Sequence, residues 1–447
     1  MAKQHAVFRA PMVGVLLATL AACGSASSST QVGTWVRAHA HAIPSVDDPQ
    51  GDTALGFLAP MVGSARVLAI GELLHCGHEP LAFRNEVIRY AVKRLGFRAL
   101  ALESGLTESR LIERYIEGGP VTLDSAARRG FTWEFGAFPE NQQLLEWLRE
   151  YNRTNTDRVR FYGIDVTGGG DDNSDPFPGG RAAPRAALDY LNRVDSRNGK
   201  ALTAIIVPLL DRFSVPRYHE YSEAERQALT DALRKVQKAI VADSTRAIAA
   251  TSAAEWAHAV RAAWSALRQA DIYKAANGTA GVSLGVLRDS TMAENMRWVL
   301  DQEGRGRVIV FAHNAHVMNR LYFWPGPDSA SIKMLGQYMR AMLGTDLVVM
   351  ASATKRPIGL LETPLGSTSL EATLSGTGVE NFVVDLREAD SDPGIAREVD
   401  RDWPFRVINA MRPVNPRRAM DLVAYFDHDT RTGPTRLSCN GEKAQGQ

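Results

Sequence analysis

From Arg66 onward the chain alternates short apolar runs with stretches whose apolar residues recur at helical spacing. RVLAI (66–70) leads into a helix predicted from about Leu81 to Leu95, and FRALALE (97–103) into one from Thr107 to Ile116. A helix from Asn141 to Asn152 precedes RVRFYGID (158–165), and RVIVFAH (307–313), LVVMAS, NFVVDLR and DLVAYFD come later. Runs that are apolar at successive positions belong to strands buried on both faces. With helices between them they predict an α/β fold, a mainly parallel central sheet flanked by helices. Thr167 to Pro184 is rich in Gly, Pro and Asp and reads as a loop. Between about Ala186 and Ala276 no strand pattern is found, and EAERQALTDALRKVQKAIV carries apolar residues at helical spacing. A helical insertion at about 186–285, forming part of a substrate cleft, is therefore expected. No internal repeat is visible.

The N-terminus changes where this fold should be found. Lys3 and Arg9 precede an apolar run from Met12 to Leu20, which is too short to span a bilayer and has the layout of a signal peptide. Leu20-Ala21-Ala22-Cys23 looks like a bacterial lipobox, with Cys23 as the acylated residue after cleavage; an ordinary secretory signal is the other reading. Residues 1–22 are thus expected to be removed, 23–45 to form a flexible tether, and 46–447 to form one catalytic domain. The protein is expected in the bacterial cell envelope or periplasm, held to the membrane by its N-terminal lipid. If Cys23 carries lipid, Cys76 and Cys439 are the only possible disulfide pair; three cysteines are not a disulfide framework.

Composition adds limits. Of 447 residues 45% are hydrophobic, enough for a large core. The 51 basic and 50 acidic residues leave a net charge of +1 with no long basic run, which speaks against nucleic acid as a partner. A monomer acting on a small molecule is expected.

Ionisable residues gather where the strands stop. VLAI runs into Gly71, Glu72 and then His75; LALE ends on Glu103, FYGID on Asp165, and VIVFAH on His313, with Asn314 and His316 just beyond. In α/β folds ligands bind outside the carboxyl ends of parallel strands, so these residues are expected to converge on one pocket. A single strand-end Asp is often only a helix cap; a set from four strands is harder to explain that way. Glu79, Asp165, Asn314 and Trp133 are placed around this pocket as substrate-binding candidates. A His at this position can act as a general base on water, with Glu72 or Glu103 holding its tautomer, a second His donating a proton, and an Arg stabilising the oxyanion. Arg84, one to two turns into the helix after His75, is the arginine candidate; a surface ion pair is its alternative.

Other chemistries fit less well. His78-Glu79 begins a zincin motif, but Ala82 stands at the second His position and Pro80 argues against helix interior; the inverted motif fails too. A nonstandard metal site from His75, His78, His313, His316 and Glu103 stays open as an alternative. Gly281-Val282-Ser283-Leu284-Gly285 matches G-x-S-x-G by letters only, since no strand precedes it. A non-enzymatic envelope binding protein is a third reading.

These residues also resemble a known family. GELLHCGHEPLAFRNEVIRYAVKRLGFRALALESG is similar to the opening motif of the erythromycin esterase family, through Gly71, Glu72, His75, Glu79, Arg84 and Glu103. EWLREYNRTNTDRVRFYGIDVTG (146–168), LRDSTMAENMRWVL (287–300) and VIVFAHNAHV (308–317) resemble its later blocks in order. The resemblance implies hydrolysis of an ester or lactone, in the best-known members a macrolide lactone, without metal or other cofactor. It implies His75 as the residue that activates water, Glu72 and Glu103 orienting it, and Arg84, His313 and His316 completing the site. Cys76, Gly77, His78 and Pro80 depart from the usual pattern beside the catalytic His.

Overall fold

Eight strands make the central sheet: β1 (His41–Ala42), β2 (Val67–Glu72), β3 (Phe97–Gly105), β4 (Arg160–Asp165), β5 (Arg307–His313), β6 (Leu347–Arg356), β7 (Asn381–Asp385) and β8 (Leu422–His428). The computed structural model describes residues 30–43, 46, 54–166, 180–278, 284–323, 331–357, 365–407 and 410–433. The expected signal segment, Cys23, residues 24–29, 44 and 45 of the expected tether, and Ser283 lie outside the described residues; residues 30–39 form a helix that buries Val32, Trp35 and Val36 in a layer of the core, and β1 follows it into the sheet, so this part of the expected tether belongs to the folded domain. The strand order across the sheet is β1-β7-β8-β6-β2-β5-β3-β4. Pairing is parallel from β8 through to β4, while β7 runs antiparallel to β8 and β1 antiparallel to β7. The sheet is therefore mainly parallel with an antiparallel edge.

The unbroken apolar runs have the expected cause. Along β2, Val67 and Ala69 join one hydrophobic layer and Leu68 and Ile70 the other, all buried. Helix α1 (His78–Arg94) covers the second face with Phe83, Val87, Ile88, Ala91 and Val92, and α2 (Pro139–Thr154) adds Leu144, Leu145 and Leu148. Three predicted helix starts shift: the helix expected from Thr107 begins at Arg110, and α1 and α2 begin at His78 and Pro139. Both helices carry proline in the first turn, where its missing N–H costs no intrahelical bond.

The segment after β4 is helical, as the spacing of its apolar residues predicts. Helices Ala182–Val194, Ser196–Ile206, Glu223–Ala242 and Ala253–Ala276 assemble a third apolar cluster of their own around Leu188, Leu191, Leu233, Val236, Ala263 and Tyr273. The next long helix, Leu284–Glu303, joins this cluster to the sheet. Its first turn packs Leu284 and Leu287 on the insertion, and Met292, Met296 and Val299 then pack on the sheet layer.

One polar contact locks the centre of the sheet to the short helix after β5. Asn314 is fully buried, donates from Nδ2 to the Ser352 carbonyl at 2.7 Å, and accepts the Ser352 N–H on Oδ1 at 3.1 Å. Gly71 makes room for it: a Cβ there would stand 2.3 Å from Asn314 Oδ1. Asn314 is thus a structural clamp, and its amide is not turned to substrate as expected from the sequence. Asn314→Ala leaves a buried N–H and C=O unpaired, and its unfolding free energy, measured by denaturant titration, should fall by about 2–4 kcal/mol.

Candidate active site

The strand ends meet at the carboxyl edge of β2, β5, β3 and β4. Parallel pairing of β2 with β5 sets Glu72 directly beside His313. The chain then turns through Leu73, Leu74 and His75, and brings the His75 ring edge-on to His313 with centroids 5.2 Å apart. On the other side of β5, the register of β3 shifts between Leu102 and Gly105. Glu103 lies in this irregular stretch, and its Oε2 accepts the His313 N–H at 2.8 Å.

His75 and Glu72 form a dyad. His75 Nδ1 lies 2.8 Å from Glu72 Oε1; the imidazole is 27% exposed and the carboxylate 3%. With Nδ1–H given to the carboxylate, Nε2 carries the lone pair and is the nitrogen free to take a proton. Burial pushes the His75 pKa down, but the hydrogen bond and charge of Glu72, helped by Glu103, outweigh it and raise the value above the ordinary 6.5. Burial also raises Glu72, against the pull of His75 and Arg84. Of the two carboxylates proposed to orient His75, Glu72 makes the direct contact and Glu103 acts through its charge.

His313 is neutral. Its Nδ1 accepts the Ala315 N–H at 3.0 Å, which leaves the proton on Nε2. That nitrogen makes no hydrogen bond among the described residues. Burial, and then the adjacent His75, lower its pKa to about 3, against Glu103 and the Leu73 backbone. The site therefore holds a neutral N–H donor beside a base.

His316 is the opposite case. Nδ1 bonds Asp289 Oδ1 at 2.8 Å and Nε2 stands 3.3 Å from Glu103 Oε1. Burial opposes its charge, yet Asp289 and Glu103 raise its pKa to about 10. Arg288 completes the network: Nη2 donates to Glu103 Oε1 and Asp165 Oδ2, both at 2.6 Å, while the guanidinium lies 5.4 Å from the centre of the Trp133 ring. It also comes within 3.1 Å of His316 Nε2, a like-charge approach offset by the carboxylate they share. Burial raises Glu103 in principle, but His316 and Arg288 hold it well below the carboxylate range. Trp133 and Glu134 have φ of 60° and 57°, a strained conformation for such residues. It delivers the indole N–H to Asp165 Oδ2 at 3.1 Å.

Several expected roles change. Asp165 is 1% exposed and its oxygens are taken by Arg288, Trp133 and the Val166 N–H; it orders the network, with no free oxygen for a substrate. Arg84 is fully buried, donates to Asn85 and Asn141, and stacks on Phe311 at 4.4 Å. It supports Glu72 by charge and, being fully buried, is not placed to act as an oxyanion donor. Glu79 accepts from the backbone and hydroxyl of Thr430 at 2.5 and 2.8 Å and is likewise turned away from the reacting groups. Cys76 is disulfide-bonded, its partner being outside the described residues, so it is not a free thiol. Phe135, 5.1 Å from the His75 ring, walls the base and was not anticipated; nor was Arg288.

The metal alternative lacks a donor set. Among the described residues no three His, Cys, Asp or Glu side chains converge on a point for an ion. His78 is spent on Glu140 at 2.5 Å, and His316 on Asp289 and Glu103.

The family model described as erythromycin esterase matches residues 92–428. The chain belongs to the erythromycin esterase family. Erythromycin esterase type II of Escherichia coli is 26% identical over 368 residues, 75% of this chain and 84% of that protein. Type I of the same organism is 27% identical over 110 residues, covering 25% of this chain and 26% of the other. Among solved structures, a Bacillus cereus protein superimposes with a TM-score of 0.75 at 19% identity, covering 90% of this chain and 98% of that one. A histidine-to-asparagine mutant of the erythromycin esterase EreC, in its open conformation, gives a TM-score of 0.66 at 17% identity, over 88% and 98% of the two chains. The fold is shared with these structures.

His316 should keep its proton through neutral pH. Histidine-selective NMR should show one imidazole titrating near 10, and Asp289→Asn should bring it down. Because the folded value is raised, the stabilisation is complete below the unfolded-state value near 6.5 and is lost as pH climbs through about 10.

Proposed function

We propose that this family hydrolase cleaves an ester or lactone by water that His75 deprotonates. Nε2 takes one proton of the water while the hydroxide oxygen bonds to the carbonyl carbon. The tetrahedral oxyanion faces the Nε2–H of His313, which donates to it as negative charge develops. Collapse breaks the bond to the alkoxy oxygen, and the His75 imidazolium returns its proton to that leaving group. Glu72 keeps the tautomer throughout. Arg288, Glu103, Asp165 and His316 hold β3, β4 and β5 in register around the reacting pair. One observation carries the proposal: a partly exposed His–Glu dyad stands against a buried, neutral histidine that carries its proton on Nε2.

A macrolide macrolactone is the substrate class suggested by the relatives that the chain matches. The helical insertion, joined to the site by the helix that carries Arg288, would shape the cleft for such a ring. The N-terminal sequence supports an exported, lipid-anchored enzyme at Cys23, active outside the cytoplasm. Incubating erythromycin with the protein and following its mass tests the substrate: addition of one water is expected, and an unchanged macrolide would remove that class.

The mechanism has its own test. His75→Ala should lower kcat by about 10²–10⁴-fold with the fold retained, and full activity in that variant would end the reading. Because the base must be neutral, kcat/KM should fall as pH drops through a value above 6.5. Glu72→Gln removes the main group raising His75 and should move this limb to lower pH.

A further inference from the structure

Past His75 the chain turns through Cys76 and Gly77 into α1, and the last described residues of the protein lie across this turn. An antiparallel bridge pairs Gly77 with Arg431. The His78 N–H donates to the Thr430 carbonyl at 2.8 Å, and the Thr432 N–H to the Cys76 carbonyl at 3.0 Å. Side chains repeat the connection on both flanks. Glu79 accepts from the N–H and hydroxyl of Thr430 at 2.5 and 2.8 Å. Glu140, in the first turn of α2, takes His78 Nδ1 on one oxygen at 2.5 Å and the Thr432 hydroxyl on the other. Asp429, 7% exposed, closes on Gly77 so tightly that a Cβ there would stand 2.4 Å from its carboxylate.

None of these groups touches the reacting atoms, yet every one of them lies on or against the turn that carries the base. A loop residue holding a catalytic imidazole needs such support, because a misplacement of about 1 Å lowers a rate by roughly 100-fold. The family match stops at residue 428 and begins at 92, so both the turn and the segment crossing it lie outside the part of the chain that the family model describes.

We propose that Asp429–Gly433 is a positioning strap that fixes the His75 turn for catalysis, with Thr432 on Glu140 and Thr430 on Glu79 as its two fasteners. The strap deepens the reading of His75 as the base and rests on it. Thr432 is a positioning residue: it acts on His75 through Cys76, Glu140 and His78.

The full-length protein tests this with two readouts. With 4-nitrophenyl butyrate as probe, Thr432→Val should lower kcat by about ten-fold and leave KM within about two-fold, while Thr432→Ser, which keeps the hydroxyl, should restore most of the rate. By histidine NMR, with the His75 signal assigned from its loss in His75→Ala, the His75 titration should move down toward its ordinary value in Thr432→Val and stay in place in Thr432→Ser. Unchanged kcat and titration in Thr432→Val would overturn the strap, and so would equal damage in the Ser variant. If Thr432→Val does not fold, Thr430→Val carries the same expectations at an exposed position. Should the wild-type protein hydrolyse nothing, the esterase reading fails, and the titration arm still decides the strap.

Discussion

The parallel register between β2 and β5 is the constraint on which the rest of the site depends. It sets Glu72 opposite His313, and only because of it does a turn three residues long bring His75 against the same ring. Side chains alternate faces along a strand, so a slip of one residue would turn Glu72 away from His75 and carry the apolar layer out of register on both faces. The register is protected from both sides. Within the sheet, Val67 to Ile70 are buried throughout. At the strand end, Asn314 is bonded to Ser352 of β6 and packed against Gly71, so the segment after β5 cannot slide relative to β2 or β6. Geometry at the base is therefore inherited from the hydrophobic core.

Around that pair the protein keeps three buried carboxylates, Glu103, Asp165 and Asp289, against two cations, Arg288 and His316. Burying such a set is weak support for stability, since desolvation opposes most of the attraction. Its use is arrangement. Arg288 joins the ends of β3 and β4, and His316 joins Glu103 to the helix that bears Asp289. The network also sorts the histidines. The same burial that leaves His313 neutral would neutralise His316, were Asp289 and Glu103 not beside it. Two imidazoles three residues apart thus differ by a full charge, one a neutral N–H donor and the other a fixed cation.

The pattern of apolar runs made the sheet and the four strand-end positions readable, because burial on both faces leaves an unmistakable mark in composition. Side-chain direction left no such mark. Arg84 has a plausible spacing from His75, but the rotation of α1 points it beneath the sheet end, onto Phe311. Arg288 is bonded to a residue 185 positions away, and nothing local distinguishes it from Arg297 of the same helix. The available signal was its place in RDSTMAENM: adjacent opposite charges inside a helix that packs on both the insertion and the sheet, where a solvated ion pair is not expected. Asn314 and Asp165 were readable as positions and misread as roles, since the sequence does not say which polar atoms are already bonded.

The strap was the least legible part, because it has no periodicity and depends on contacts between the two ends of the domain. Cys76, Gly77 and His78 are the residues that Thr432, Asp429 and Thr430 meet. Gly77 has an ordinary extended φ of −82°, so conformational freedom does not explain the glycine; the close approach of Asp429 does. His78 in turn helps hold Glu140 below the usual carboxylate range against the effect of burial, together with Thr432. These residues therefore belong to a second support for the turn that carries the base, built from contacts separate from the charged network around Glu103.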